Sequence, residues 1–263
     1  MIRHTFFLLG VVLSCAATLF SQSPAPLVGG TVFELIASGD ELVSKEFSNQ
    51  KALQKYLEAL ALEPNNAEVL WRISRAYVDI GEHLPTTSDA EKQLQLQTYE
   101  RSAEYAEKAV RANAQSSMAY TRRAIANGRV ALFRGVWESL DLVKKVKVDL
   151  EKALELSPAN DVAHYVLGRT HVKVSERPRV FRWPLGLSWA NLDDAIRHYE
   201  LAIKIKPGFI MYHLDCARAY VETDEIEKAR TYLSMITSLP TQDEDDEQYR
   251  KEAKELMEKI REK

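Results

Sequence analysis

Three sets of side chains in this chain have types and spacings that could do chemistry. His164 and His171 lie seven residues apart, two turns along one helical face, as a pair of metal ligands would. No third ligand follows at helical spacing, and both histidines occupy packing positions, so they read as structural and the metal assignment is none. Asp193 and Asp194 form a carboxylate pair, but adjacent residues diverge around a helix. Acids at a helix start are explained by the macrodipole. Glycine-rich phosphate loops, paired CxxC and HExxH are all missing from the sequence. The expectation is a non-enzyme with no catalytic residue and no cofactor.

The third set is cationic. Arg75, Arg169 and Arg218 stand in RAY, RTH and RAY, each two residues before the same helical slot; Ile125 takes that place in another unit, with Arg122 and Arg123 nearby. A guanidinium fork matches a carboxylate, so this ladder would suit an acidic peptide. The competing reading pairs the arginines with acids on neighbouring helices. Exposed ion pairs contribute only about 0–1 kcal/mol each, whereas micromolar binding needs about 8 kcal/mol. Apolar neighbours, namely Trp71, Tyr165, Met118 and Met211, would therefore have to carry much of any affinity. A second cluster lies in the segment 176–189, where Arg177, Arg179 and Arg182 alternate with Phe181, Trp183 and Trp189. It would either dock on an anionic membrane or a protein groove, or fold back over the edge of the domain.

What must position these residues is a repeated pair of helices. Asp161–Pro207 shows the unit most fully: Leu167, Gly168 and His171 on a first helix, then Ala195, Tyr199, Ala202 and Pro207 on a second. These are tetratricopeptide (TPR) slots. Small residues let two antiparallel helices approach, and large ones fill the groove so made. The slots recur with Ala52, Tyr56, Ala59 and Pro64, with Ser102, Ala106 and Ala109, with Ala153 and Pro158, and with Tyr220 and Ala229. The fold class is therefore all-α, a TPR-like superhelix of about five helix pairs closed by a capping helix. The repeat is stretched: unit ends at Pro64, Ala114, Pro158 and Pro207 lie 44 to 50 residues apart, against about 34 in an ordinary array. The extra residues map to 83–98, 129–140 and 174–191, expected at the turns. Ser38-Gly39-Asp40 is expected to interrupt the first helix. The acidic run Asp243–Glu247 is expected to be a solvated face.

The chain divides into 1–21, 22–30, 31–241 and 242–263. The first part has a polar start and an apolar run from Phe6 to Phe20, which reads as a signal peptide. Export to the periplasm or cell envelope is the expectation; the alternatives are a lipoprotein through Cys15 or a retained membrane anchor with cytosolic repeats. Residues 22–30 are a linker, 31–241 the repeat domain and 242–263 the cap. With 35 Lys and Arg against 38 Asp and Glu, net charge −3, there is no global positive field for nucleic acid. Cys216, on a packed helix face, reads as an inert thiol.

The stretches KALQKYLEALALEPNNAEVLWRISRAY, VKVDLEKALELSPANDVAHYVLGR, DDAIRHYELAIKIKPGF and ARTYLSMITSLPTQDEDDEQYRKEAKELMEKI together resemble the regulator of microtubule dynamics family of TPR-like proteins. The resemblance implies an α-helical adaptor, with association to microtubules or organelle membranes in animal members; in a bacterial member the scaffold role alone would carry over. The main functional expectation is a non-enzymatic scaffold holding a protein or peptide in a concave groove. The alternatives are an assembly component of a cell-envelope complex and a microtubule-associated regulator. Membrane association would run through the N-terminus or the insert.

Overall fold

The computed structural model describes residues 30–261. The apolar segment read as a signal peptide lies outside them. Five antiparallel helix pairs follow one another: α1 (Val32–Glu46) with α2 (Asn49–Leu62), α3 (Ala67–Glu82) with α4 (Asp89–Ala112), α5 (Ser117–Arg134) with α6 (Leu140–Leu156), α7 (Asp161–Ser175) with α9 (Leu192–Ile205), and α10 (Ile210–Glu222) with α11 (Ile226–Ile236). A four-residue helix, α8 (Arg179–Arg182), and one 3-10 turn (Trp183–Leu185) fill the gap inside the fourth pair. The last helix, α12 (Asp246–Lys259), packs on α10 and α11. This is a TPR-like superhelix, and no strand occurs among the described residues.

Local sequence explains where helices begin. Thr31 with Glu34 and Ser88 with Glu91 form reciprocal capping boxes, while the side chains of Asn66, Asn160 and Asn191 accept amide hydrogen bonds at the starts of α3, α7 and α9. Ala52, Ala59, Ala106, Ala109, Ala153 and Ala202 are fully buried on the second helices. They allow the close approach that their slots require.

In three pairs a glycine on the first helix receives a tyrosine from the second. A Cβ at Gly39 would lie 2.3 Å from Tyr56, at Gly81 2.6 Å from Tyr99, and at Gly168 2.7 Å from Tyr199. This corrects the expectation of a break at Ser38-Gly39-Asp40. α1 is continuous, and Gly39 is there to admit the Tyr56 ring, whose hydroxyl donates to Asp40 at 2.7 Å.

The extra residues are spent unequally. Much of 83–98 becomes the first turns of α4, and most of 129–140 extends α5 and opens α6, leaving only short connections. The third, 174–191, is a compact structured loop. The acidic run departs further from expectation. Asp246 is buried and accepts backbone N–H bonds from Gln242 and Asp243 at 2.6 and 2.9 Å. Glu244 accepts from Asn49 at 3.0 Å, and His83 meets Glu244 and Asp245, each at 3.2 Å. The segment before α12 is thus a clasp reaching back to α2 and the end of α3, rather than a solvated face.

Candidate functional site

The first helices α3, α5, α7 and α10 face inward, as their apolar and arginine-bearing stripes require, and Asp243 and Asp245 of the clasp border the space between them. They enclose a cavity of about 590 Å³, within the range of small-ligand sites. Val78, Val162, Val166 and Phe209 give it apolar walls. A neighbouring cavity of about 420 Å³ lies beyond the clasp, lined by residues from α1, α3 and the segment Thr241–Asp245.

The structure brings five of the seven groove candidates together. Arg75, Tyr165, Arg169, Met211 and Arg218 all line the larger cavity. Trp71 lines the smaller one, which Arg75 also touches, and is 8% exposed, its indole N–H donating to Glu68 at 3.0 Å. Met118 lines neither; it packs against the Leu70–Ala119 core, with Asn160 Nδ2 3.6 Å from its sulfur. It therefore drops out of the groove set.

The arginine ladder is largely neutralised from within. Arg75 Nε donates to Asp79 Oδ2 at 3.3 Å. Asp215 lies 3.7 Å from Arg169, accepts from Arg218 at 2.9 Å, and accepts the Tyr165 hydroxyl at 2.6 Å. Arg218 also pairs with Glu252. Burial first, and then the Asp215 charge, hold the Tyr165 phenol well above the ordinary range, so it stays a donor. The pairing of these arginines with acids of their own and neighbouring helices is what the structure realises.

Sequence reasoning missed Asp79, Asp215 and Tyr212, placed Arg122 only near the ladder, and read the clasp as solvated. Two of the acids carried a signal: Asp79 follows Arg75 by four residues and Asp215 precedes Arg218 by three, the spacings at which helical side chains meet. The Arg169–Asp215 contact spans two repeats and has no local signature.

The insert is half structural. Arg182 is 6% exposed and donates to the carbonyls of Arg177, Leu187 and Ala190 at 2.7, 3.0 and 2.7 Å. It is corrected from docking residue to the post around which the loop winds. Trp189 is also turned inward, edge-on to His171 at 5.0 Å, with Lys147 against its face. Arg177 stacks on Trp137 at 4.2 Å. Phe181 and Trp183 stand out, 64% and 73% exposed, beside exposed Arg179.

His164 and His171 do share a buried cluster, completed by His198, whose Nδ1 lies 3.0 Å from His164 Nδ1. No group of three or more His, Cys, Asp or Glu side chains among the described residues is placed to hold a metal ion. Burial pushes the Cys216 thiol far up, and no helix among the described residues is long and apolar enough to cross a membrane.

Comparison with known proteins fits this architecture. The solved TPR protein TTC0263 from Thermus thermophilus superposes with a TM-score of 0.61 at 16% identity, covering 86% of this chain and 99% of that one. Regulator of microtubule dynamics protein 3 of Bos taurus is 26% identical over 250 residues, 89% of this chain and 51% of that protein. The corresponding protein 1 of Mus musculus is 26% identical over 245 residues, 91% of this chain and 78% of its own length. The chain thus spans about half the length of the protein 3 relative. These relatives are animal proteins named as regulators of microtubule dynamics, which overturns the expectation of export to the periplasm or cell envelope. The family profile described as regulator of microtubule dynamics protein 1-3 matches residues 35–261, and the chain belongs to that family.

Proposed function

We propose that this chain is a non-enzymatic scaffold that holds a segment of a partner protein, an acidic peptide, in the cavity enclosed by its first helices. The observation that carries the reading is that Arg75, Tyr165, Arg169, Met211 and Arg218, drawn from three different repeats, line one concave space. Paired arginines add little affinity of their own. Their role is to hold the walls polar at fixed points, while Tyr165, Phe209, Met211 and the valines supply the apolar area that micromolar binding requires. The test is selection of peptides from a displayed library on the whole chain, followed by calorimetry against Met211→Glu, which puts a charge on the apolar wall. A selected peptide should lose tenfold or more in affinity with helicity unchanged. Equal affinity for the variant would place binding elsewhere.

A second reading follows from family membership: the repeat domain contributes to microtubule association. It is supported by the match over 35–261. Co-sedimentation with polymerised tubulin at low salt tests it, and no pelleting would remove it for this part of the protein.

A further inference from the structure

Around the larger cavity, every lining arginine but one has a carboxylate partner among the described residues. Arg75, Arg129, Arg169 and Arg218 have carboxylate partners in Asp79, Glu82, Asp215 and Glu252. Arg122, on the α5 wall, makes no hydrogen bond and no ion pair among the described residues, and its Nε is buried without a partner. The Trp71 ring lies 5.8 Å away. Desolvation first, and then the like charge of Arg75, draw its pKa down to about 10; the carboxylates of Asp79 and Asp161 help but stand outside ion-pairing distance.

Arg122 is half-buried with its Nε fully so, and a guanidinium partly withdrawn from water with no ion pair to offset the loss is destabilising to the fold. Arg123, the next residue, has its charge met by Asp149 at 2.7 Å and Glu107 at 2.9 Å, so the local structure can furnish partners and does not furnish one here. We propose that Arg122, with Arg75 beside it, is the seat for a carboxylate of the acidic peptide that the cavity holds. This rests on the peptide-binding reading given above and names the group that orients the ligand.

The chemistry favours a carboxylate over a more highly charged anion. A carboxylate adds a single negative charge to a lining in which, among the described residues, Glu222 and Asp243 are already without ion pairs. The nearby rim carries Asp79, Asp215, Asp243 and Asp245, which would repel a phosphate dianion. The guanidinium offers two parallel N–H donors to a carboxylate. Apolar side chains of Val162, Tyr212 and Met211 lie in the same lining, where the aliphatic part of the ligand would rest.

The test uses the full chain and a small aryl carboxylate, 4-phenylbutyrate, against its uncharged amide and against phenyl phosphate at constant ionic strength, read by calorimetry and thermal shift. Binding of 4-phenylbutyrate at least tenfold tighter than that of the other two is the expected result. Arg122→Met should abolish that preference while melting at or above the wild-type temperature, because it removes an unpaired, half-buried charge. A structural arginine would do the opposite. Arg122→Lys, which keeps the charge and loses the fork, serves if the Met variant does not fold, and should weaken the carboxylate severalfold. The amide binding as well as the acid, phenyl phosphate or vesicles containing phosphatidic acid binding better, or Arg122→Met melting several degrees lower with binding intact, would each overturn the assignment. If 4-phenylbutyrate requires Arg122 but peptides selected on the wild type bind Arg122→Met equally well, the seat holds a carboxylate from another source and its link to a peptide falls. Loss of every peptide with 4-phenylbutyrate still bound would instead remove the peptide-binding reading.

Discussion

His164, His171, His198 and His213 are buried and held below the ordinary imidazole range, burial being the first cause in each. Their hydrogen bonds fix two tautomers. His164 donates from Nε2 to the Pro158 carbonyl at 3.1 Å, so its Nδ1 must accept from His198 Nδ1 at 3.0 Å. Protonating His198, whose pKa is drawn down to about 4, puts positive charge into a buried cluster. Because the unfolded chain binds these protons more readily, stability conferred by the cluster is complete above about pH 6.5 and is lost as pH falls toward 4. Burial raises the carboxyls of Glu82 and Asp243, which works in the opposite direction. The histidine contribution is therefore read as a difference: between pH 6.5 and 4, urea midpoints of the wild type should fall more steeply than those of His198→Phe. A pair seven residues apart on one helix was legible as packing in the sequence. The third ring was not, because it arrives from α9, 34 positions away.

At the scale of the element, the glycine–tyrosine contacts explain why the second-helix tyrosines recur. A Cβ at Gly168 would sit 2.7 Å from the Tyr199 ring and 3.0 Å from the Ala195 carbonyl oxygen, which is backbone and cannot yield. Gly168→Ala should therefore destabilise by about 1–3 kcal/mol despite its better helix propensity. Gly128, whose Cβ would meet only Val146 at 3.9 Å, should gain about 0.5–1 kcal/mol on the same substitution. Thermal denaturation of the two variants checks both signs. The insert obeys a different logic. Arg182→Ala frees three carbonyls at once, and the expected outcome is proteolytic cleavage within 176–189 at protease concentrations the wild type survives, with the main melting transition nearly unmoved. Composition marked this loop as cationic and aromatic. It could not say which of three arginines turns inward, since that depends on where the chain reverses at Gly186, in the left-handed region. The helix pairs themselves were legible because alanine, glycine and tyrosine spacing encodes them locally. The superhelical turn that brings Asp215 to Arg169 is a sum of small rotations with no motif of its own.

The whole molecule is closed by contacts between its two ends. Desolvation opposes charge on His83, but a hydrogen bond to the Asp79 carbonyl, another to Asp245 and the charges of Glu244 and Asp245 outweigh it and raise its pKa to about 9. A raised pKa places the associated stability below about pH 6.5, to be lost as pH climbs through 9. Small-angle scattering should show the radius of gyration rising between pH 7 and 10, and His83→Ala should show the larger value already at pH 7. An unchanged radius in both would mean that the His83 contacts do not hold the ends together. That contact joins residues 162 positions apart in the chain, which is why an acidic run beside a helix start read as solvent-facing. Family membership was readable from the repeats, whereas the apolar N-terminus pointed to an export route at odds with the relatives.

Closure also changes what time means for this protein. An open solenoid lets an extended chain lie down and lift off along its whole length, so contact area governs how long it stays. Here the ionic contacts of His83 with Glu244 and Asp245 cross one side of the groove, and a bound chain passing beneath them would have to thread out or wait for them to part. Residence would then be set by a gate the captive does not touch, and dissociation should quicken with added salt even for a partner that carries no charge.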